Sequence, residues 1–305
     1  ATAILGMEAT AEELAALNAE LGFDRPFFTQ YFDWLGGVFQ GDWGQSYFLD
    51  MSVLDAIGEY FWPTFSLAIY AELISLLLSV PLGILAAYKR GTLVDTATVS
   101  VSLLGIALPG FLLSMFLMLF FGVTLKWLPV AGYVELSKGF LEHVRYLTLP
   151  ALSLGLVQAA YITRMTRSSM LDVIRSDYLR TARSKGVPEK TVVRKHALKN
   201  ALIPIITVIG TQMGRTLGGS VVTENVFSWP GVGRLTIEAV KQRDTTTVTG
   251  CIIMSVIMIS VVQLLVDLTY AFVDPRLRAQ YASSGRKKKT AVSAKKADES
   301  EKGGV

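Results

Sequence analysis

Asp177-Tyr178-Leu179-Arg180-Thr181-Ala182-Arg183-Ser184-Lys185-Gly186, followed ten residues on by His196-Ala197-Leu198-Lys199-Asn200-Ala201-Leu202-Ile203-Pro204, is the most informative stretch of the chain. Met170, Ile174, Tyr178 and Ala182 recur every four residues and line one helix face, with Arg175, Arg180 and Arg183 off it. This spacing predicts an amphipathic helix that stops at Gly186, since glycine is the usual residue just past a helix end. Pro188 suits the first turn of a second helix, from Glu189 to about Leu198. Two short helices meeting at a glycine form a compact knuckle, a shape suited to a groove on another protein.

Around this stretch the chain is very apolar. Of 305 residues, 51% are apolar and 18% charged, and the mean hydropathy is +0.43. A soluble domain of this size has too little interior for that much apolar surface, so the composition points to a membrane protein. Pro63 to Tyr88, Ala97 to Thr124, Leu147 to Ile162 and Val248 to Val273 each read as a spanning helix. At the helical rise the first would be roughly 39 Å long, enough to cross a hydrocarbon core of about 30 Å with tilt. Ala201 to Val222 reads as a fifth span facing protein or a cavity, because it holds Gly210, Gln212, Gly214, Arg215, Gly218 and Gly219.

The basic residues set the orientation. The turn at Lys89-Arg90, the loop Arg164 to Lys199 and the tail after Asp274 hold 21 of the 29 Lys and Arg, whereas the first 62 residues hold one and carry ten acids. The positive-inside rule therefore puts the Arg-rich loop and the C-terminus in the cytoplasm and residues 1–62 outside. The net charge of +4 is read as this topology signal and not as a nucleic-acid surface. Five spans with an external start need an insertion signal that the acidic first segment does not supply. The expectation is an all-α polytopic protein of six helices, the first missing from the sequence.

Three units result: an external segment 1–62, a spanning domain 63–273 with the cytoplasmic loop 166–204, and a tail 274–305, disordered from about 283. Thr10 and Glu13 fit a capping box, with Leu14, Leu17 and Leu21 following at helical spacing up to Gly22. The aromatics from Phe27 to Trp62 read either as a docking surface for an external partner or as an aromatic belt or small-domain core at the membrane face. The tail's Lys run is followed by Ala, Ser, Asp and Glu, a solvated composition with some affinity for anionic lipid.

Ionisable residues at membrane depth are costly and so mark candidate function. Glu72 and Arg215 are the two candidates, facing a translocation path or pairing with each other, with a structural role the competing reading for Glu72, while Asp267 lies near a span end. Pro81, Pro109, Pro150 and Pro204 are expected to kink or start helices. Catalytic chemistry has little to work with. There is no GxxxxGK[ST] phosphate loop, HExxH or GxSxG, and the chain has one cysteine, Cys251, and two histidines, His143 and His196. No metal ligand set or catalytic residue is expected, and energy for transport would have to come from a partner. A self-sufficient secondary transporter or channel is the competing class. Such folds carry internal repeats, and none is read here.

The knuckle is similar to the EAA loop of ABC importer permeases in the form used by the dipeptide and oligopeptide branch. Pro81-Leu82-Gly83-Ile84-Leu85-Ala86-Ala87, Trp127-Leu128-Pro129-Val130, Thr166 to Leu171, Phe227-Ser228-Trp229-Pro230-Gly231-Val232-Gly233-Arg234-Leu235 and Asp274-Pro275-Arg276 resemble that branch in order and spacing. Arg180, Thr181 and Ala182 stand where the motif's name has Glu, Ala and Ala, and Gly186 matches its glycine. The resemblance implies a six-helix, non-enzymatic permease of the bacterial inner membrane that moves peptides or similar small solutes. Its implied partners are a second homologous permease, two cytoplasmic ATPases that hold the ATP and magnesium, an external solute-binding protein and lipid. Asp177, Tyr178, Arg180, Thr181, Ala182, Gly186, Asn200 and Pro204 would then couple to the ATPases. Trp229, Pro230, Gly231 and Gly233 form an external motif, and Arg215 and Glu72 are the path candidates.

Overall fold

The structure is a computed structural model that describes residues 10–20, 22 and 24–273. The capping box forms as read: Thr10 N–H donates to Glu13 at 2.9 Å and Glu13 N–H to Thr10 Oγ1 at 3.3 Å. It starts helix α1, Ala11–Glu20. The Leu21 and tail readings, with Asp274-Pro275-Arg276, lie outside the described residues. The first part of the aromatic segment is itself a helix, α2, Phe27–Gln40, whose Phe27, Phe28, Phe32 and Phe39 are exposed. A two-strand turn, β1 Gln45–Ser46 antiparallel to β2 Met51–Ser52, leads into the spans.

Helix α3 runs Val53–Tyr88, ten residues earlier than the apolar stretch suggested. Ser52 Oγ caps it by accepting from Asp55 N–H at 3.1 Å. Pro63 lies inside this helix and does not begin it; it is buried there, and its carbonyl accepts a hydrogen bond from the Trp229 indole. The second apolar stretch is not one straight span. It divides into α4, Leu93–Ala107, and α5, Gly110–Leu117, which continues as a π-helical turn, Met118–Thr124. The two halves bend by 104°. Pro109 forces Leu108 into an extended conformation with ψ 127°, which ends α4.

Helix α6, Phe140–Ile174, packs along α3. Two glycines mark close approaches between them. A Cβ on Gly155 would lie 2.7 Å from the Ala71 carbonyl, and one on Gly83 would lie 2.8 Å from the Thr163 carbonyl. The two contacts advance together along both helices, so α3 and α6 run parallel. Between these points Glu72, Ser75 and Ser79 of α3 and Gln158 and Thr166 of α6 are buried. They carry all the buried side-chain oxygens without a hydrogen-bond partner among the described residues. Asp95 of α4 joins α6 through a forked pair to Arg167, at 2.5 and 2.8 Å, and also accepts from Gly91 N–H at 3.0 Å.

Beyond α6 come α7, Asp177–Ser184, a helical lead-in from Glu189 to Ala197, and α8, Leu198–Val226. Helices α9, Val232–Lys241, and α10, Thr245–Val273, complete the described chain. Among described residues three helices are long and apolar enough to cross a membrane, and the bent pair makes a fourth. Helix α8 has the length but not the apolarity, in keeping with its glycines, Gln212 and Arg215. Helix α10 is the most lipid-suited, with only 17% of its apolar window buried.

Candidate coupling knuckle and translocation cleft

The four-residue periodicity suggested one helix from Met170 to Gly186, but the structure breaks it at Arg175-Ser176. Ser176 has ψ 147° and its hydroxyl donates to the Val173 carbonyl at 2.5 Å. The break rotates α7 so that Leu179, not Tyr178, enters the core, where it meets Met170, Val192, Val193, Ala197, Ala201 and Ile205. Helix α7 ends at Gly186, with φ +77°. Val187 N–H reaches back to the Ala182 carbonyl at 3.3 Å and Gly186 N–H to the Arg183 carbonyl at 2.9 Å, a Schellman closure. The second arm does not stop near Leu198. It passes through a π-helical turn, Val192–Ala197, straight into α8, so Pro204 lies within a helix and does not start one.

Two ties lock the knuckle. Arg183 Nε and Nη2 each donate to the Glu189 carboxylate at 2.9 Å, and Nη1 donates to the Ile174 carbonyl at 3.3 Å. The guanidinium holds the Glu189 carboxyl below the usual glutamate range, and the carboxylate pushes Arg183 further up. Across the base, Asn200 Nδ2 donates to the Tyr178 hydroxyl at 2.5 Å, and that hydroxyl donates to the His196 carbonyl at 3.1 Å. The structure thus brings Tyr178 and Asn200 together, 22 positions apart. Asp177, Arg180 and Thr181 are exposed and Ala182 half-buried. Asp177 and Arg180 meet only at 4.0 Å, so their charges remain open to a partner.

The Trp229 motif builds a second assembly around two buried side chains, Trp229 and Glu224. Trp229 lies edge-on to Tyr133, with ring centres 4.8 Å apart, and its indole N–H donates to the Pro63 carbonyl at 2.9 Å. Glu224, absent from the sequence reading, is the hub. Its carboxyl accepts from Thr64 Oγ1 at 2.9 Å, Ser220 Oγ at 2.8 Å and Arg234 N–H at 2.9 Å. Thr64 Oγ1 also accepts from Val232 N–H at 2.8 Å. A Cβ on Gly231 would fall inside the Glu224 carboxyl, and one on Gly233 would lie 2.7 Å from Val221 Cα. Half-buried Pro230 joins the two parts of the loop. The available signal for Glu224 was an acid five residues ahead of Trp229, just past an apolar stretch.

Glu72 and Arg215 are not paired. Glu72 is buried between α3 and α6, beside Gln158. Behind it the Gln158 amide donates to the Gln212 carbonyl at 3.3 Å and to Thr216 Oγ1. Arg215 is exposed on the other side, in a cleft of about 360 Å³ lined also by Gly110, Phe111, Tyr161, Gln212 and Thr223. Glu72 does not line that cleft.

With this geometry in hand, comparisons identify the family. Residues 79–279 match the model of the binding-protein-dependent transport system inner membrane component family. The chain is 39% identical over 290 residues to the dipeptide transport system permease protein DppB of Escherichia coli K12, covering 88% of this chain and 86% of that one. It is 39% identical to the di/tripeptide transport system permease protein DppB of Pseudomonas aeruginosa, over 85% and 83% of the two chains. It is 36% identical to the dipeptide transport system permease protein DppB of Alkalihalophilus pseudofirmus, over 91% and 90%. An inward-facing structure of the MetNI methionine ABC transporter matches at TM-score 0.59 and 18% identity, over 72% of this chain and 96% of that one. The fold is therefore shared with that transporter. The chain belongs to the binding-protein-dependent transport system inner membrane components, and is a multi-pass transport subunit of the inner membrane.

Proposed function

We propose that this subunit is the permease of an ABC importer of peptides. The observation that carries the proposal is the locked knuckle at Gly186, rigid at its core and bearing exposed Asp177 and Arg180. Similarity to three permeases named for dipeptides or di/tripeptides supports the cargo. In this reading residues 1–62 lie outside and the knuckle lies in the cytoplasm. The knuckle seats in a cytoplasmic ATPase, one of two that bind ATP and magnesium. A second homologous permease completes the path, and an external solute-binding protein delivers cargo.

The physical logic is mechanical. Closure of the ATPases moves their grooves, and a rigid knuckle passes that motion through the unbroken helical path from Glu189 into α8 as a rigid-body shift. Tyr178 and Asn200 serve this role by tying the knuckle to α8, Thr181 and Ala182 lie on the knuckle's own helix, Pro204 lies within α8, and Arg215 faces the path. The test is uptake of labelled peptides in cells lacking the gene, with and without its restoration. Restored uptake supports the reading. Peptide uptake that persists when the ATPases are removed would move the chain to the ATP-independent class.

A further inference from the structure

The broken span and Arg215 meet at one place. Helix α5 starts at Gly110, and Gly110 and Phe111 line the same cleft as Arg215 and Tyr161. Leu112 and Leu113 return their N–H groups to the Pro109 carbonyl at 3.0 and 3.2 Å. The N–H groups of Gly110 and Phe111 have no earlier turn to receive them, so the positive end of α5 opens here. Arg215 makes no ion pair and Tyr161 no side-chain hydrogen bond with any described residue.

The lining holds no Asp or Glu. The Gln158 amide donor is already spent on Gln212 and Thr216. The cleft therefore offers a guanidinium, a phenol and a helix start, and no countercharge. An unpaired charge at membrane depth is costly, and broken helices in transporters aim their N-terminal ends at anionic cargo groups. An ammonium group would find no anionic partner in this lining.

We propose that this cleft holds the C-terminal carboxylate of the cargo peptide, with Arg215 as its charge partner and Tyr161 and the Gly110 end of α5 as further donors. The proposal rests on the peptide-importer reading above. It makes the permease itself a reader of the cargo's acid terminus, indifferent to the amino terminus.

The test uses the complete transporter in nanodiscs, without binding protein, and measures equilibrium binding of dialanine, its C-terminal amide and its N-acetyl form. The wild-type complex should bind the first and third alike and the amide about tenfold or more weaker, the effect of one lost charge-assisted bond. Arg215→Gln should remove most of that acid-over-amide preference, Arg215→Lys should keep part of it, and Tyr161→Phe should reduce it by less. A preference unchanged in Arg215→Gln overturns the proposal. Equal weakening of acid and amide overturns it too, and assigns Arg215 to a carboxylate of the partner permease. A parallel uptake assay with binding protein separates the two levels. Normal dipeptide uptake with no acid preference sinks this inference alone; absence of both uptake and binding sinks the importer reading with it.

Discussion

The indole N–H of Trp229 donates to the backbone carbonyl of Pro63 at 2.9 Å, joining residues 166 positions apart. Trp229 is wholly buried against Leu67, Ala71, Leu147 and Ala151. Trp229→Phe should keep much of the packing and lose the bond, costing about 1 kcal/mol. Trp229→Ala should cost about 3–5 kcal/mol through the void it leaves. Thermal unfolding of the detergent-solubilised complex should rank them in that order; equal melting of both variants would contradict the packing account.

The Glu224 hub makes a sharper prediction. Gly231→Ala forces a methyl group into the Glu224 carboxyl, which is wholly buried and held by Thr64, Ser220 and the Arg234 N–H. Its expected outcome is a strong loss of folded protein in the membrane. Glu224→Gln keeps the shape and exchanges an acceptor for a donor facing donors, at a cost of about 1–3 kcal/mol. Immunoblotting of membrane fractions measures both, and wild-type levels of Gly231→Ala would refute the steric argument.

At Gly186 the expected effect is on coupling and not on folding. A side chain there meets nothing within 4 Å, but φ is +77°. A β-branched residue in that conformation is strained by roughly 1–2 kcal/mol. Gly186→Val should therefore leave membrane levels near normal while lowering uptake, and Gly186→Asn, which tolerates the left-handed region, should retain most activity. Normal uptake by Gly186→Val would count against the role of the knuckle.

The Arg183–Glu189 tie has a defined pH dependence. The folded carboxyl titrates below its unfolded value, so the pair stabilises the knuckle above the usual glutamate range and the contribution is lost as pH falls through and below it. Arg183 stays charged throughout. The pair is about a third to a half exposed, so its worth is at most about 1 kcal/mol and falls with salt. Glu189→Gln should mimic acid at neutral pH, raising hydrogen exchange in residues 177–198. Unchanged exchange would mean that the Leu179 core and the Tyr178–Asn200 tie suffice to hold the knuckle.

What the sequence revealed was mostly local. The Gly186 stop was readable because a left-handed cap is a property of one residue and its neighbours, and the Thr10–Glu13 box was readable for the same reason. The break at Ser176 was hidden, because Tyr178 keeps the four-residue rhythm while Leu179 takes the core. Pro109 was visible as a helix interrupter, but the apolar run continues through it, and hydropathy carries no information on a 104° bend. Glu224 stayed invisible because its meaning depends on Thr64, 160 residues earlier. Arg215 and Glu72 were visible as membrane-depth charges; only the packing of α6 between them separates a cleft residue from a buried one.

The seam between α3 and α6 bears on motion as well as on packing. It is closed by backbone contact at Gly155 and Gly83, and its polar side chains, Glu72, Ser75 and Ser79 on one helix and Gln158 and Thr166 on the other, form a short buried row in which Glu72 faces Gln158. A small shift of one helix along the other therefore disturbs few polar contacts. The two helices are held to each other mainly by shape, within a protein otherwise pinned by hydrogen bonds at Glu224 at one end and Arg183 at the other.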